Sequence, residues 1–186
     1  MSDSLYDGMP PGFTQMHAWL QRGVSALEVA DLDGDGSDEV AYTLSGHWNE
    51  LRVYEGSGAA RWVRAFGPDR AGGSFMTALE VADLDGDGRN EVLTGTKMGW
   101  LHAFDRRGNL LWQRRFHSGI SALAARGNTG RVAVGCEDGA LLLLDGAGNI
   151  LASANLGRAV TKVLNTPRGI VAGSAAGLVR FYPHLR

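Results

Sequence analysis

With 186 residues and 44% hydrophobic composition, the chain has enough apolar side chains to bury a core, which excludes a disordered tail. A formal charge of −2 supplies no global basic field for nucleic acid or anionic lipid, so neither is an expected partner. The single cysteine, Cys136, excludes an intrachain disulfide and a cysteine-built metal centre.

Residues 1–15 read as an N-terminal tail with neither a basic n-region nor an apolar h-region, and no run long enough to span a membrane follows. The expectation is a chain with no membrane partner, cytoplasmic by default and secreted if a leader has been removed. Residues 16–22 (Met16-His-Ala-Trp-Leu-Gln-Arg22) have the pattern of an outer strand without a sheet of its own. They precede Val24-Ser-Ala-Leu as Leu111-Trp-Gln-Arg-Arg-Phe-His-Ser-Gly119 precedes Ile120-Ser-Ala-Leu.

From residue 25 the chain repeats itself. Ser25-Ala-Leu-Glu-Val-Ala-Asp-Leu-Asp-Gly-Asp-Gly36 returns as Thr77-Ala-Leu-Glu-Val-Ala-Asp-Leu-Asp-Gly-Asp-Gly88 at an offset of 52. Further copies start at Ser121, 44 residues on, and at Thr161, 40 after that. In each copy a short apolar strand follows, beginning at Glu39, Glu91, Arg131 and Gly169. A third strand begins near Leu51, Trp100, Ala140 and Leu178, and in the first three copies a fourth begins at Ala60, Leu110 and Ile150. Glycine-bearing turns such as Asp105-Arg-Arg-Gly-Asn and Asp145-Gly-Ala-Gly-Asn supply the hairpins.

Four antiparallel strands in each repeat of this length describe a propeller blade. The fold expected is all-β: a β-propeller module over 16–186, with an outer strand at 16–22 and blades of approximately 24–67, 76–118, 120–158 and 160–186. The last blade stops after its third strand, and an unpaired sheet edge invites pairing, so the N-terminal strand is expected to complete it. Two closures satisfy that pairing: a four-bladed monomer, or a homodimer that exchanges the strand and forms an eight-bladed ring. The second is favoured, a symmetric dimer being the commonest closed assembly.

The loops Asp31 to Glu39 and Asp83 to Glu91 alternate carboxylates with glycine, a pattern that aims oxygens inward at a calcium ion, which takes six to eight of them at about 2.3–2.6 Å. The expected ligands are Asp31, Asp33, Asp35, the carbonyl of Ser37 and Glu39 in one loop, and Asp83, Asp85, Asp87, the carbonyl of Arg89 and Glu91 in the other. Position 12 is Tyr42 or Thr94 and strands flank the loops, which sets them apart from an EF-hand. They resemble the calcium loops of FG-GAP repeats in integrin-type propellers, and that resemblance implies two structural calcium sites per chain. Ala103-Phe-Asp-Arg-Arg-Gly-Asn-Leu-Leu-Trp112 is similar to the tryptophan-docking repeat of quinoprotein-like propellers. This implies that Trp19, Trp62 and Trp112 pack between blades, and carries over no quinone cofactor.

On the face opposite the acidic loops, His47, Trp48, Lys97 and His117 are the candidate ligand-binding residues, an exposed aromatic beside polar side chains suiting a peptide or a sugar. His17, His102 and His184 stand alone on strands and read as structural. No catalytic constellation stands out. The function expected is a non-catalytic, calcium-stabilised scaffold for a protein or glycan; the alternatives are a carbohydrate-active enzyme and a subunit of a larger propeller complex.

Overall fold

The protein is described by a computed structural model over residues 22–46, 48–68, 75–126 and 129–183. Fifteen strands in these ranges form four antiparallel sheets whose strands pair in chain order. The first holds β1 (Arg22–Ala30), β2 (Glu39–Gly46), β3 (Trp48–Tyr54) and β4 (Ala60–Pro68). The second holds β5 (Met76–Ala82), β6 (Glu91–Thr96), β7 (Trp100–Phe104) and β8 (Leu110–Arg115). The third holds β9 (Ile120–Arg126), β10 (Arg131–Cys136), β11 (Ala140–Leu144) and β12 (Ile150–Asn155). The fourth has β13 (Val160–Thr166), β14 (Gly169–Ser174) and β15 (Val179–Tyr182). The tail and all but Arg22 of the expected outer strand, and with them Trp19, His17 and His184, lie outside the described residues.

Burial grades across each blade as the sequence pattern dictates. The second strand is the most deeply buried in the second and third blades, with every residue of β6 and all but Arg131 of β10 buried, whereas the outer strand β8 is largely exposed. The turns between third and fourth strands are closed by a side chain. Asp105 Oδ1 accepts the amides of Arg107 and Asn109, and Asp145 Oδ1 accepts those of Ala147 and Asn149.

Sheets buried on both faces have to lean on one another, and the repeat supplies the contact. In every blade the first strand bulges at the same place, at Ser25, Thr77, Ser121 and Thr161. A bulge re-aims the side chain it carries. The Thr77 hydroxyl donates to the carbonyl of Ile120 in the next blade, and that of Ser121 to the carbonyl of Val160. Between blades one and two the bridge is Ser45, whose hydroxyl contacts Ser25 and donates to Met76 O at 2.8 Å.

Beside the Thr77 and Ser121 hydroxyls the next blade inserts an apolar side chain onto a glycine. A Cβ on Gly95 would stand 2.6 Å from Ile120 Cγ2, and one on Gly135 would stand 2.5 Å from Val160 Cγ1. Further out, Trp62 Nε1 donates to Arg106 O at 3.0 Å and its ring covers Gly108, while Trp112 Nε1 donates to Gly146 O at 2.8 Å and covers Gly148. Trp62 and Trp112 thus join neighbouring blades as expected.

Inner strands β1, β5, β9 and β13 pack in that order, and among the described residues β13 makes no comparable packing with β1. The blades form an arc with two free ends. Val24 is 59% exposed, although its repeat equivalents Met76, Ile120 and Val160 are 1% or less. At the other end Val179 and Phe181 are 69% and 51% exposed where Leu141 and Leu143, the matching residues of the third blade, are buried. Gly173, the match of Gly95 and Gly135, has only atoms of its own blade near it, at 4.0 Å.

Gly95→Val tests the inner contact. Overpacking of the Ile120 seat is expected to destabilise the fold by about 1–3 kcal/mol in urea unfolding; an unchanged midpoint would mean that this contact does not hold the blades together.

Candidate calcium loops and the central channel

Each acidic loop joins the first two strands of a blade and is pinned by its own first aspartate. Asp31 accepts the amides of Gly34 at 2.7 Å and Gly36 at 2.8 Å; Asp83 accepts those of Gly86 at 2.6 Å and Gly88 at 3.0 Å. These four glycines have φ between +79° and +89°, where a Cβ is strained. The amide of Gly36, then those of Gly34 and Asp35, hold the Asp31 carboxyl below its ordinary range against the opposing effect of burial. Leu32 and Leu84 are buried and anchor the loops between blades. The two loops also touch: Asn90 Nδ2 donates to Asp31 O at 2.6 Å and Asn90 N to Leu32 O at 3.1 Å.

The fold gathers carboxylates from both ends of each loop. Ligand oxygens of Asp31, Asp33 and Glu39 lie within 4.8 Å of one another, and so do those of Asp83, Asp85 and Glu91. Asp35 and Asp87 stand outside these clusters, accepting the amides of Ser37 at 2.7 Å and Arg89 at 2.8 Å. Glu39 and Glu91 are buried, at 2% and 6% exposure, and in the second cluster Asp83 is buried with Glu91. Each uses Oε2 to accept the loop's leucine amide, Leu32 or Leu84, at 2.8 Å.

The two clusters differ in what faces the remaining oxygens. In the first, the Arg61 guanidinium on β4 reaches Glu39 Oε1 at 3.1 Å and Glu55 Oε2 at 3.4 Å, and bonds Asp33 Oδ2. Asp33 Oδ1 is buried without a partner. The Arg61 bond is the largest of the effects holding the Asp33 carboxyl below its ordinary range. Burial raises Glu39, opposed by the Leu32 amide and Arg61.

The repeat position of Arg61 in the second blade is Leu111. Here Glu91 Oε1 has no hydrogen bond or ion pair among the described residues. Burial pushes the Glu91 carboxyl up to about 7, with Asp85, Asp87 and Asp83 adding to it and the Leu84 amide opposing. Arg89, Arg106 and Arg107 line the same shallow cavity, but Arg89 pairs only with Asp87, at 3.7 Å, and among the described residues no cation pairs with Glu91. Oxygen donors gathered around a buried carboxylate that lacks a counter-charge are the donor set a calcium ion takes, so the residues fit the ion that the sequence resemblance implies. Asp83, Asp85 and Glu91 would hold it, and it would supply the charge that this cluster lacks.

A second feature is the channel wall, where β1, β5, β9 and β13 line a cavity of about 650 Å³. Glu28 and Glu80, repeat equivalents of each other, both face it. Burial, reinforced by Glu28 and opposed by the Ala125 amide, pushes Glu80 up to about 7. Burial also raises Glu28. The sequence reading passed over this pair because each glutamate is embedded in an apolar strand motif; the visible signal was their identical place in the repeat.

Of the expected ligand-face residues, Lys97 follows β6 and His117 follows β8, and both are exposed. A Cβ on Gly119 would meet Lys97 O at 2.5 Å, so the two connections adjoin at the end of the blade opposite the acidic loops. His47 lies outside the described residues, and Trp48 is described only as the start of β3. His102, by contrast, is half-buried between the rings of Phe66, Trp100 and Phe104, and burial holds its pKa below the ordinary value.

Residues 31–94 match the FG-GAP-like repeat. No curated protein matches the chain by sequence. Among solved structures, the computationally designed protein Ika4 is 22% identical with a TM-score of 0.69, over 87% of this chain and 91% of its own. The WD40 repeats of RRP9 are 16% identical with a TM-score of 0.70, over 88% of this chain and 49% of theirs. BBS1N, solved in complex with ARL6DN, is 14% identical with a TM-score of 0.67, over 96% of this chain and 54% of its own. The chain therefore spans nearly all of the designed protein and about half of the other two. It has the β-propeller fold. Within that fold the FG-GAP-like match runs from the first acidic loop into β6.

The channel wall makes a pH prediction. Glu80 has an ordinary value of 4.5 and a folded value of about 7. Folding thus favours its protonated form, so this contribution to stability is complete below the ordinary value and is lost as pH rises through about 7. Glu80→Gln should melt like the parent near about pH 4 and above it near about pH 8. Equal melting shifts at both pH values would remove Glu80 as the titrating group.

Proposed function

We propose that this chain is half of a ring: a non-catalytic, calcium-stiffened β-propeller scaffold that closes with a second copy of itself and presents its channel and loop faces to a protein or glycan. The observation that carries the reading is the free end at Val24, a residue more than half exposed where three repeat equivalents are sealed. The complementary end is at Gly173, an open seat where two equivalents are filled. Blade four therefore offers what blade one needs. The register is specific too. Thr161 donates to Gly173 O in its own blade, whereas Thr77 and Ser121 also reach the blade that follows. Val24 O of the partner is the matching acceptor.

A head-to-tail contact that recurs twice between two copies closes into a ring, leaving no apolar face bare. Strand exchange by residues 16–22 would add to the same seam by completing the fourth sheet. Calcium in the two loops would brace the seams between first and second strands. The ligand is best sought on the channel wall at Glu28, Glu80 and Lys162, whose charges suit a hydroxyl-rich chain or a peptide, and on the face carrying Lys97 and His117. BBS1N, a structure of similar fold, was solved with a protein partner.

Light scattering tests the assembly. The purified chain is expected at twice 19.8 kDa. Gly173→Val, whose added Cβ stands 4.0 Å from the nearest atoms within the chain, is expected to stay folded and run at the mass of one copy. A single-copy mass for the parent would contradict the reading, and a partner half of different mass would point to a larger propeller complex.

Calcium is expected to raise the melting temperature, by the equivalent of about 2.7 kcal/mol at a hundredfold excess over the dissociation constant. An unchanged melting temperature in chelator and in calcium would remove the ion from the account.

A further inference from the structure

We infer that Arg61 is the resident counter-ion of the first acidic loop, so the two loops are unequal calcium sites: the second fills first, and the first takes the ion only by displacing a guanidinium. The inference rests on the calcium reading above and goes beyond it, because the loop sequences alone describe two equivalent sites.

The argument is one of charge at fixed places. Arg61 is mostly buried and spans three carboxylates, using Nη2 for Asp33 and Nη1 for both Glu39 and Glu55. Two of those three, Asp33 and Glu39, belong to the set that would ligate the metal. A calcium ion entering this loop needs the same oxygens, and two cations cannot share them at contact distance without strong repulsion. The guanidinium is tethered to the outer strand, and its neighbour Trp62 is docked onto blade two, so its approach costs little further ordering.

In the second loop Leu111 takes the equivalent place. It is 51% exposed and carries no charge, and Asp105, the equivalent of Glu55, spends both carboxylate oxygens on its own turn. Glu91 is left buried among three aspartates with no resident cation among the described residues. The orphaned Oδ1 of Asp33 shows that Arg61 satisfies the first cluster only in part, which is why the first loop remains a weaker site and not a closed one.

The test is a reciprocal exchange, read by calorimetric calcium titration of the full chain with circular dichroism as the check on folding. The parent should show two separate affinities. Arg61→Leu is expected to strengthen the weaker site by about tenfold or more, bringing the two together, and Leu111→Arg to weaken the stronger site by a similar factor. Should Arg61→Leu fail to fold, Leu111→Arg alone decides the matter, since its side chain starts from solvent. Two equal affinities in the parent, or titrations unmoved by both exchanges, would overturn the inference while leaving calcium binding intact. Absence of binding by every variant would overturn the calcium reading itself.

Discussion

Everything in this molecule depends on one repeated contact between sheets: a bulged hydroxyl reaching the next blade's carbonyl, beside an apolar side chain pressed onto a glycine. A four-stranded sheet with a fully buried second strand cannot stand alone, because its apolar faces need cover on both sides. The contact sets the register of blade on blade, since the hydroxyl has one acceptor and the glycine has room for one branched side chain. Where it recurs, Ile120 and Val160 are sealed, as Met76 is beside Ser45; where the arc ends, Val24 and Gly173 are left apart. Between blades one and two Ser45 makes the bridge instead, and the proposed ring closure would continue a pattern present twice within the chain.

The acidic loops rest on the same frame. Leu32 and Leu84 are driven into the seams between blades, and the carboxylates on either side of each leucine are held where the ladder puts them. The glutamate opening the second strand is buried by that geometry, whatever ion faces it. One loop meets the resulting charge with an arginine from the outer strand and the other has no such residue, so near-identical loop sequences acquire different electrostatics from one position outside them.

The repeats, their strand order and the turns were legible because each signal is local: a period in sequence, glycine at turn positions, apolar runs for the second strand. The acidic clusters were legible for the same reason; Asp35 and Asp87, expected as ligands with the rest, accept the amides of Ser37 and Arg89. What the sequence hid depends on partners far away along the chain. Arg61 is 28 residues from Asp33, and nothing near either residue announces that they meet. The Ser25, Thr77, Ser121 and Thr161 series was visible as a repeat marker but not as the bridge between blades, because its acceptors lie in other sheets. Glu28 and Glu80 were read as part of a strand motif, and only the packing of β1 against β5 brings them onto one wall of the same cavity.

The most direct test of the account is a disulfide across the free ends. At the two internal seats an added Cβ stands 3.0 Å from Ile120 Cβ and 2.9 Å from Val160 Cβ, slightly inside the about 3.5–4.5 Å that a disulfide spans. The native Cys136 thiol is buried and held up at about 12, which keeps it out of the chemistry. After mild oxidation, Val24→Cys combined with Gly173→Cys should run on a non-reducing denaturing gel as a covalent pair of chains, and neither single variant should do so. A double variant that cross-links only within one chain, or not at all, would contradict the ring of two copies.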